Sequence, residues 1–145
     1  MILYLDTSAL IKLYVNEPYS QLVRSGIDQA VIVSTHLIAY AEMRAALAKA
    51  ERMERITDIE LENLVEEFEQ DWKTIEVVKV DDFLVRRAGN LAQQFGLRGF
   101  DSIHLAAAEA LYLISKGEME FKFGVFDQHL ANAGKALGMK VLEQA

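Results

Sequence analysis

Short apolar runs alternate along the chain with longer segments in which apolar residues recur every three or four positions. The apolar runs, which predict strands, lie at residues 2–5, 31–33, 75–80, 121–126 and 139–142. The intervening segments have the period of amphipathic helices. Because parallel strands need long crossover connections, this order predicts an α/β fold with a mostly parallel central sheet of about five strands. Helices are expected on both faces of that sheet.

The same alternation continues through the chain without a linker rich in Gly, Ser or Pro, and 145 residues are a usual length for one domain. We therefore predict a single domain over residues 1–145. One boundary stays open, because residues 34–71 fit either one bent helix or two helices that divide near Thr57.

The composition excludes several classes of protein. A chain without cysteine has no disulfide framework and no thiolate metal site. Its net charge of −7 argues against a broad basic surface for nucleic acid. No apolar run approaches the roughly 20 residues of a membrane span, and the first residues lack the basic start of a signal peptide. We expect a cytoplasmic protein that does not enter a membrane.

Acidic residues follow the strands at the positions where parallel sheets bind ligands. Asp6 directly follows the first predicted strand, Asp127 follows the fourth, and Asp101 begins a helix. Ligands of open α/β sheets bind beyond the carboxyl ends of the strands, so these carboxylates could form one site. Each of them could instead belong to the start of a helix, Asp6 and Asp127 as N-caps and Asp101 as an N-cap or a first-turn acid. The helix that contains Asp101 is expected to bury a set of apolar residues: Ile103, Leu105, Ala106 and Leu113.

Glu42 is a different kind of candidate, because it lies inside a predicted helix. It falls on or near an apolar stripe, where an unpaired carboxylate is costly. The stripe is predicted from Leu37, Ile38, Ala41, Ala45, Leu47 and Ala48. An exposed position for Glu42 is the alternative. If the acids do come together, their mutual repulsion requires cations, and oxygen ligands suit Mg²⁺ or Mn²⁺.

Four stretches of the sequence resemble the signature regions of PIN-domain ribonucleases, and especially of the VapC-type toxins. They are LDTSALIKLYVNE, AYAEMRAAL, LRGFDSIHLAAA and VFDQHLANAGKALGMKVL, which together extend over nearly the whole chain. The resemblance implies a PIN-like three-layer sandwich and an endoribonuclease that uses Mg²⁺ or Mn²⁺. It also implies an RNA substrate, a cognate antitoxin as partner, and a homodimer.

The resemblance implies roles for individual acids and for the small hydroxyl residue near the first of them. Asp6, Glu42 and Asp101 match the metal ligands of the family, and Asp127 matches a fourth, more variable catalytic acid. Ser8 matches a hydroxyl that supports the metal site, with Thr7 beside it. Where the family usually has Thr or Ser two positions before the fourth acid, this chain has Val125.

Histidines and basic residues near these motifs have two interpretations each. His104, one turn after Asp101, is expected to support the site through hydrogen bonds, whereas His36 and His129 are expected at helix starts or on the surface. Candidate contacts to RNA are Arg98, Lys12, Arg44, Arg86 and Arg87, with Arg98 preferred because it precedes the Asp101 motif. Solvation or partner binding explains these cations equally well.

Metal-dependent hydrolysis of RNA is the reaction that these features favour, and it would leave 5′-phosphate and 3′-hydroxyl ends. Two alternatives stay open. A degenerate PIN scaffold would bind RNA or protein without cutting. A phosphatase would use Asp6 as its nucleophile, although such enzymes usually have a second acid two residues later, where this chain has Ser8. A phosphoacceptor signalling domain would need neighbouring acids and a late lysine that the sequence lacks.

Overall fold

The computed structural model describes residues 1–144 and shows a five-stranded sheet. The strands are β1 (Ile2–Leu5), β2 (Ile32–His36), β3 (Glu76–Val78), β4 (Phe121–Gly124) and β5 (Lys140–Val141). Their spatial order is β3-β2-β1-β4-β5, and every neighbouring pair is parallel. The α/β prediction is therefore confirmed. β1 lies at the centre, so the residues that follow it emerge in the middle of the carboxyl edge.

Within residues 1–144, seven helices connect and cover these strands. They are α1 (Thr7–Leu10), continued by a short 3-10 turn (Ile11–Leu13), α2 (Ser20–Gln29), α3 (Ala39–Arg52), α4 (Asp58–Trp72), α5 (Asp82–Phe95), α6 (Gly99–Ser115) and α7 (Gln128–Ala136). Residues 34–71, for which the sequence leaves one bent helix or two helices open, contain two helices, α3 and α4. Thr57 separates them, because its side chain and that of Glu60 form a reciprocal capping box at the start of α4. In the described part of the chain, no helix is long and apolar enough to cross a membrane.

Helices pack on both faces of the sheet, as the alternation of side chains along β1 shows. Leu3 and Leu5 belong to a core with α1, α2, α3 and α4, whereas Ile2 and Tyr4 belong to a second core with α5, α6 and α7. Successive residues of a strand point to opposite faces, so a central strand covered on both sides is apolar throughout. This arrangement confirms the predicted three layers.

β2 is longer than the apolar run that predicts it, because polar side chains extend it to His36. Ser34 and Thr35 are fully buried, and each donates its hydroxyl to a backbone carbonyl of a neighbouring strand: Ser34 to Glu76 at 2.6 Å and Thr35 to Leu5 at 2.7 Å. These bonds offset the cost of burying hydroxyl groups. The predicted helix from residue 34 therefore begins only at Ala39.

Two predicted helix faces are wrong in part. In α3 the buried residues are Ala39, Met43, Leu47 and Ala50, whereas the predicted stripe residues Leu37, Ala41 and Ala45 are exposed. In α6, Leu105 and Ala106 are buried but Leu113 is 59% exposed. Each helical residue advances about 100°, so Leu113, eight residues after Leu105, points about 80° away from it. Apolar residues therefore indicate the α6 helix correctly but misplace its buried face at the C-terminal end.

Candidate metal centre

Asp6 follows β1 directly and lies in the middle of the carboxyl edge of the sheet. It is only 4% exposed. Its Oδ1 accepts hydrogen bonds from Ser8 Oγ at 2.6 Å and from the backbone N–H of Ala9 at 3.1 Å. Asp6 thus caps α1 and is also a buried carboxylate, so the two interpretations of this residue coincide. No ion pair among residues 1–144 includes it.

The surroundings of Asp6 make its negative charge costly. Burial raises the pKa of Asp6 from its ordinary value of 3.8 to about 6, against the opposing effects of His104 and of the hydrogen bonds that the carboxylate accepts. The negative charge of Asp101 adds to this rise. Asp6 and Asp101 therefore interact, although 95 residues of sequence separate them.

Glu42 lies in the first turn of α3, and its side chain is 24% exposed. Its Oε1 accepts a hydrogen bond from Thr7 Oγ1 at 2.7 Å and lies 2.7 Å from His104 Nε2. Burial alone would raise the pKa of Glu42, but the bonds from His104 and Thr7 outweigh it and hold the pKa below its ordinary value. Because Thr7 follows Asp6, this bond places Glu42 beside the first acid.

Asp101 lies in the first turn of α6, where it does not cap the helix. The N-cap residue is Arg98, and its Nε donates to Asp101 Oδ2 at 3.0 Å. Of the two helix-start interpretations of Asp101, as an N-cap or as a first-turn acid, the structure shows the second. The side chain of Arg98 is 83% exposed. The hydrogen bond to Asp101 is the largest cause that raises the pKa of Arg98. The negative charges of Asp101, Asp127 and Glu42 raise it further.

Asp127 is placed differently from the other three acids. It is exposed, and its Oδ1 accepts the backbone N–H of Leu130 at 2.9 Å as the N-cap of α7. Its charge acts on Arg98, so it lies at the rim of the site. Val125 is buried and brings no hydroxyl to this side. Ser8 Oγ instead accepts the backbone N–H of Phe126 at 3.0 Å and links this segment to Asp6.

The three histidines take three different places. His104 is 1% exposed and lies 2.8 Å from the hydroxyl of Tyr4 through Nδ1. His36, expected at a helix start or on the surface, is fully buried at the end of β2, where Nδ1 accepts the N–H of Ile38. The expectation of a surface position is wrong because β2 continues through Thr35 and His36. His129 is exposed, in agreement with the prediction.

Among the candidate RNA contacts, only Arg98 lies at the acids. Lys12 pairs with Glu17 at 3.1 Å, and Arg44 lies 4.0 Å from Glu69. Arg86 and Arg87 pair with acids of α5 and α6. These contacts account for four of the five cations as parts of ion pairs away from Asp6.

The oxygen atoms of the site fit a divalent cation in chemistry. Among the described residues, no three Asp, Glu or His side chains are already arranged to hold an ion. Asp101 instead accepts a hydrogen bond from Arg98, and Glu42 accepts hydrogen bonds from Thr7 and His104. Even so, Asp6 Oδ2, Glu42 Oε2 and Asp101 Oδ1 have no hydrogen-bond partner within residues 1–144. Three such oxygens are suitable ligands for Mg²⁺ or Mn²⁺.

The model of the PIN domain family matches residues 3–135 of the chain. The chain belongs to the PIN domain family. One curated relative of this PIN domain is Ribonuclease VapC45 of Mycobacterium tuberculosis (strain CDC 1551 / Oshkosh), which is 33% identical over 140 residues. That match covers 97% of this chain and 94% of the relative. The resemblance found in the sequence is thereby confirmed.

Solved structures share the fold of this PIN domain. FitAcB from Neisseria gonorrhoeae superimposes with a TM-score of 0.71 at 18% identity, over 99% of this chain and 97% of that chain. A chain of a toxin-antitoxin complex from Klebsiella pneumoniae gives 0.56 at 17% identity, over 82% of each chain. At such identities these matches establish the architecture of the PIN domain and nothing finer.

Tyr4 is a residue of the site that the sequence analysis missed. In the sequence it is one letter of an apolar strand, and only its hydroxyl group distinguishes it from its neighbours. A buried tyrosine normally finds a hydrogen-bond partner, so its position two residues before Asp6 is the signal that could have revealed it.

Proposed function

We propose that this PIN domain, residues 1–145, is an endoribonuclease that depends on Mg²⁺ or Mn²⁺ and acts as the toxin of a type II toxin–antitoxin pair. The observation that carries the proposal is the Asp6 carboxylate, which is buried, interacts with a second carboxylate and has no ion pair among the described residues. A helix cap gains nothing from such burial, whereas a bound cation would offset the cost of burying the negative charge. The name of the relative, Ribonuclease VapC45, supports RNA as the substrate.

Asp6, Glu42 and Asp101 would hold the cation through the carboxylate oxygens that have no hydrogen-bond partner among residues 1–144. When bound, the cation supplies Lewis acidity, which activates water and neutralises charge on the phosphate. Ser8 holds Asp6 in place through the 2.6 Å bond, and Thr7 does the same for Glu42 at 2.7 Å. These bonds use the oxygens Oδ1 and Oε1 and leave the others free.

Arg98 would bind the phosphate of the RNA. Its exposed guanidinium could leave Asp101 if a divalent cation took over that carboxylate, because an ion pair whose cation is solvent-exposed is weak. Asp127 at the rim would act on the substrate or its water rather than on the buried acids. In the reaction, the oxygen of water forms a bond to phosphorus while the bond to the 3′-oxygen breaks. The leaving oxygen takes up a proton, which gives a 3′-hydroxyl and a 5′-phosphate.

An antitoxin that covers the acidic site would be the natural partner. A structural neighbour comes from a complex described as toxin-antitoxin, which supports this part of the proposal. We further propose that the chain forms a homodimer and acts in the cytoplasm, where its RNA substrate is found.

The test is the sequencing of RNA ends after brief induction of the wild type and of Asp101→Asn. The wild type should produce new 5′-phosphate ends at defined sites, and Asp101→Asn should produce none. Asp81→Asn is the matched control: Asp81 is exposed, caps α5 by accepting the N–H of Leu84 at 2.7 Å, and forms no hydrogen bond with Asp6, Glu42 or Asp101. Equal cleavage by Asp101→Asn and the wild type would contradict the proposal.

Calorimetry with Mn²⁺ separates the proposal from the other functions. A degenerate scaffold would bind RNA but no Mn²⁺. A phosphatase would form a covalent phosphate on Asp6, which mass spectrometry detects. The nuclease should bind Mn²⁺ and form no such adduct.

A further inference from the structure

A chain of hydrogen bonds runs from the centre of the sheet to Glu42. Tyr4 lies in β1 and is fully buried, and its hydroxyl is 2.8 Å from Nδ1 of His104. The other ring nitrogen, Nε2, is 2.7 Å from Glu42 Oε1. The three groups come from β1, α6 and α3, so only the folded chain brings them together.

The chemistry of the groups gives this chain a direction. A carboxylate oxygen can only accept, so Nε2 of His104 carries a hydrogen and donates it to Glu42. In the neutral ring Nδ1 is then an acceptor, and the hydroxyl of Tyr4 donates to it. Every donor of this hydrogen-bond chain thus has an acceptor, and the Glu42 carboxylate, which can only accept, determines that Nε2 of His104 carries a proton.

These hydrogen bonds restrict the orientation of the Glu42 carboxylate. Thr7 Oγ1 donates to the same Oε1, so that oxygen accepts two hydrogen bonds from two different elements. The ring of Tyr4 is itself packed edge-on against Phe123 and His104, with ring centroids 5.9 Å apart in both pairs. Because the two bonds hold Oε1 in place, they also restrict the position of Oε2 of the same carboxylate.

We propose that Tyr4 and His104 are positioning residues, which orient Glu42 so that its Oε2 is presented to the cation. This inference rests on the proposed function. Groups that hold a ligand in place in this way commonly change metal affinity by 10- to 100-fold when they are removed. A purely structural pair would affect stability and leave metal affinity unchanged.

The experiment measures Mn²⁺ affinity by calorimetry on the whole chain without RNA, together with thermal unfolding. His104→Leu should weaken Mn²⁺ binding by about 10- to 100-fold. Tyr4→Phe, which keeps the ring and removes one neutral hydrogen bond, should weaken it by about 3- to 10-fold. The matched control is Tyr14→Phe, because the hydroxyl of the buried Tyr14 also donates a part-buried bond to a carboxylate, Asp71 at 2.7 Å, in the other core of the sheet. It should leave Mn²⁺ affinity unchanged.

Two further measurements keep the inference testable if His104→Leu fails to fold. His104→Gln retains a donor near the position of Nε2 and should restore most of the affinity. Nitrogen NMR of the His104 ring in the metal-free wild type should show a proton on Nε2, and Tyr4→Phe should shift the signal of Nδ1. Mn²⁺ affinity that is equal in the wild type, Tyr4→Phe and His104→Gln, with an unshifted ring spectrum, would overturn the inference alone. A wild type that binds no Mn²⁺ would overturn the proposed function as well.

Discussion

Replacing Asp6 with Asn should abolish RNA cleavage and at the same time stabilise the metal-free protein. Burial raises the pKa of Asp6 from 3.8 to about 6. That difference corresponds to about 3 kcal/mol of unfolding free energy, because one pKa unit is equivalent to about 1.4 kcal/mol. Asn can accept the same bonds from Ser8 and Ala9 and also caps helices well, so the variant loses the charge and little else.

The stabilisation should depend on pH with a definite sign. Between pH 3.8 and about 6 the unfolded chain releases the Asp6 proton while the folded chain keeps it. The contribution of Asp6 to the free energy of unfolding is therefore fully present below pH 3.8. It is lost as the pH rises from 3.8 to about 6 and does not return above that pH. Asp6→Asn should match the wild type near pH 3.5 and exceed it by up to about 3 kcal/mol at pH 7.5.

The assay is urea and thermal unfolding of both proteins in EDTA at several pH values. The difference between the two proteins isolates Asp6, since Glu42 and Glu17, whose pKa values are lowered, titrate in both. At pH 7.5 the variant should melt about 6–12 °C higher. Mn²⁺ at 100 times its dissociation constant should then stabilise the wild type by about 2.7 kcal/mol and leave Asp6→Asn unchanged.

The control is Asp81→Asn, the same change at an exposed helix cap, which should alter stability by about 0.5 kcal/mol or less at any pH. The argument that burial makes the charged Asp6 carboxylate unfavourable would be refuted by either of two results. Asp6→Asn and the wild type could be equally stable at pH 7.5, or Asp6→Asn could be more stable by the same amount at pH 3.5 and at pH 7.5.

Three other changes test the site and the core. Arg98→Ala should raise the KM for an oligoribonucleotide about 10-fold with a smaller effect on kcat, since one charged phosphate contact is lost; an unchanged KM would remove Arg98 from the substrate site. Phe68→Ala should lower the urea-derived unfolding free energy by about 3–5 kcal/mol, because Phe68 is fully buried among aromatic rings. Thr57→Ala should cost about 1 kcal/mol in the same assay through loss of the α4 capping box; no loss would show that the cap is dispensable.

The chain alone determined the order of strands and helices, and with it the parallel sheet. The four residues ILYL are all apolar or aromatic because β1 is covered on both faces, so the sequence alone indicates a buried strand. Local chemistry also marks the helix starts at Thr57 and Asp127. These features depend on residues a few positions apart, which is why periodicity and capping rules predict them.

Only the tertiary structure decided what each polar side chain contacts. His36 is buried because Ser34 and Thr35 extend β2, and Tyr4 reaches His104 across 100 residues. Asp101 shows the same limit, since its partner turned out to be Arg98 rather than a backbone amide. Hydrogen bonds and charge effects act over a few ångströms in space, so a chain that folds back on itself creates partners that no spacing in the sequence specifies.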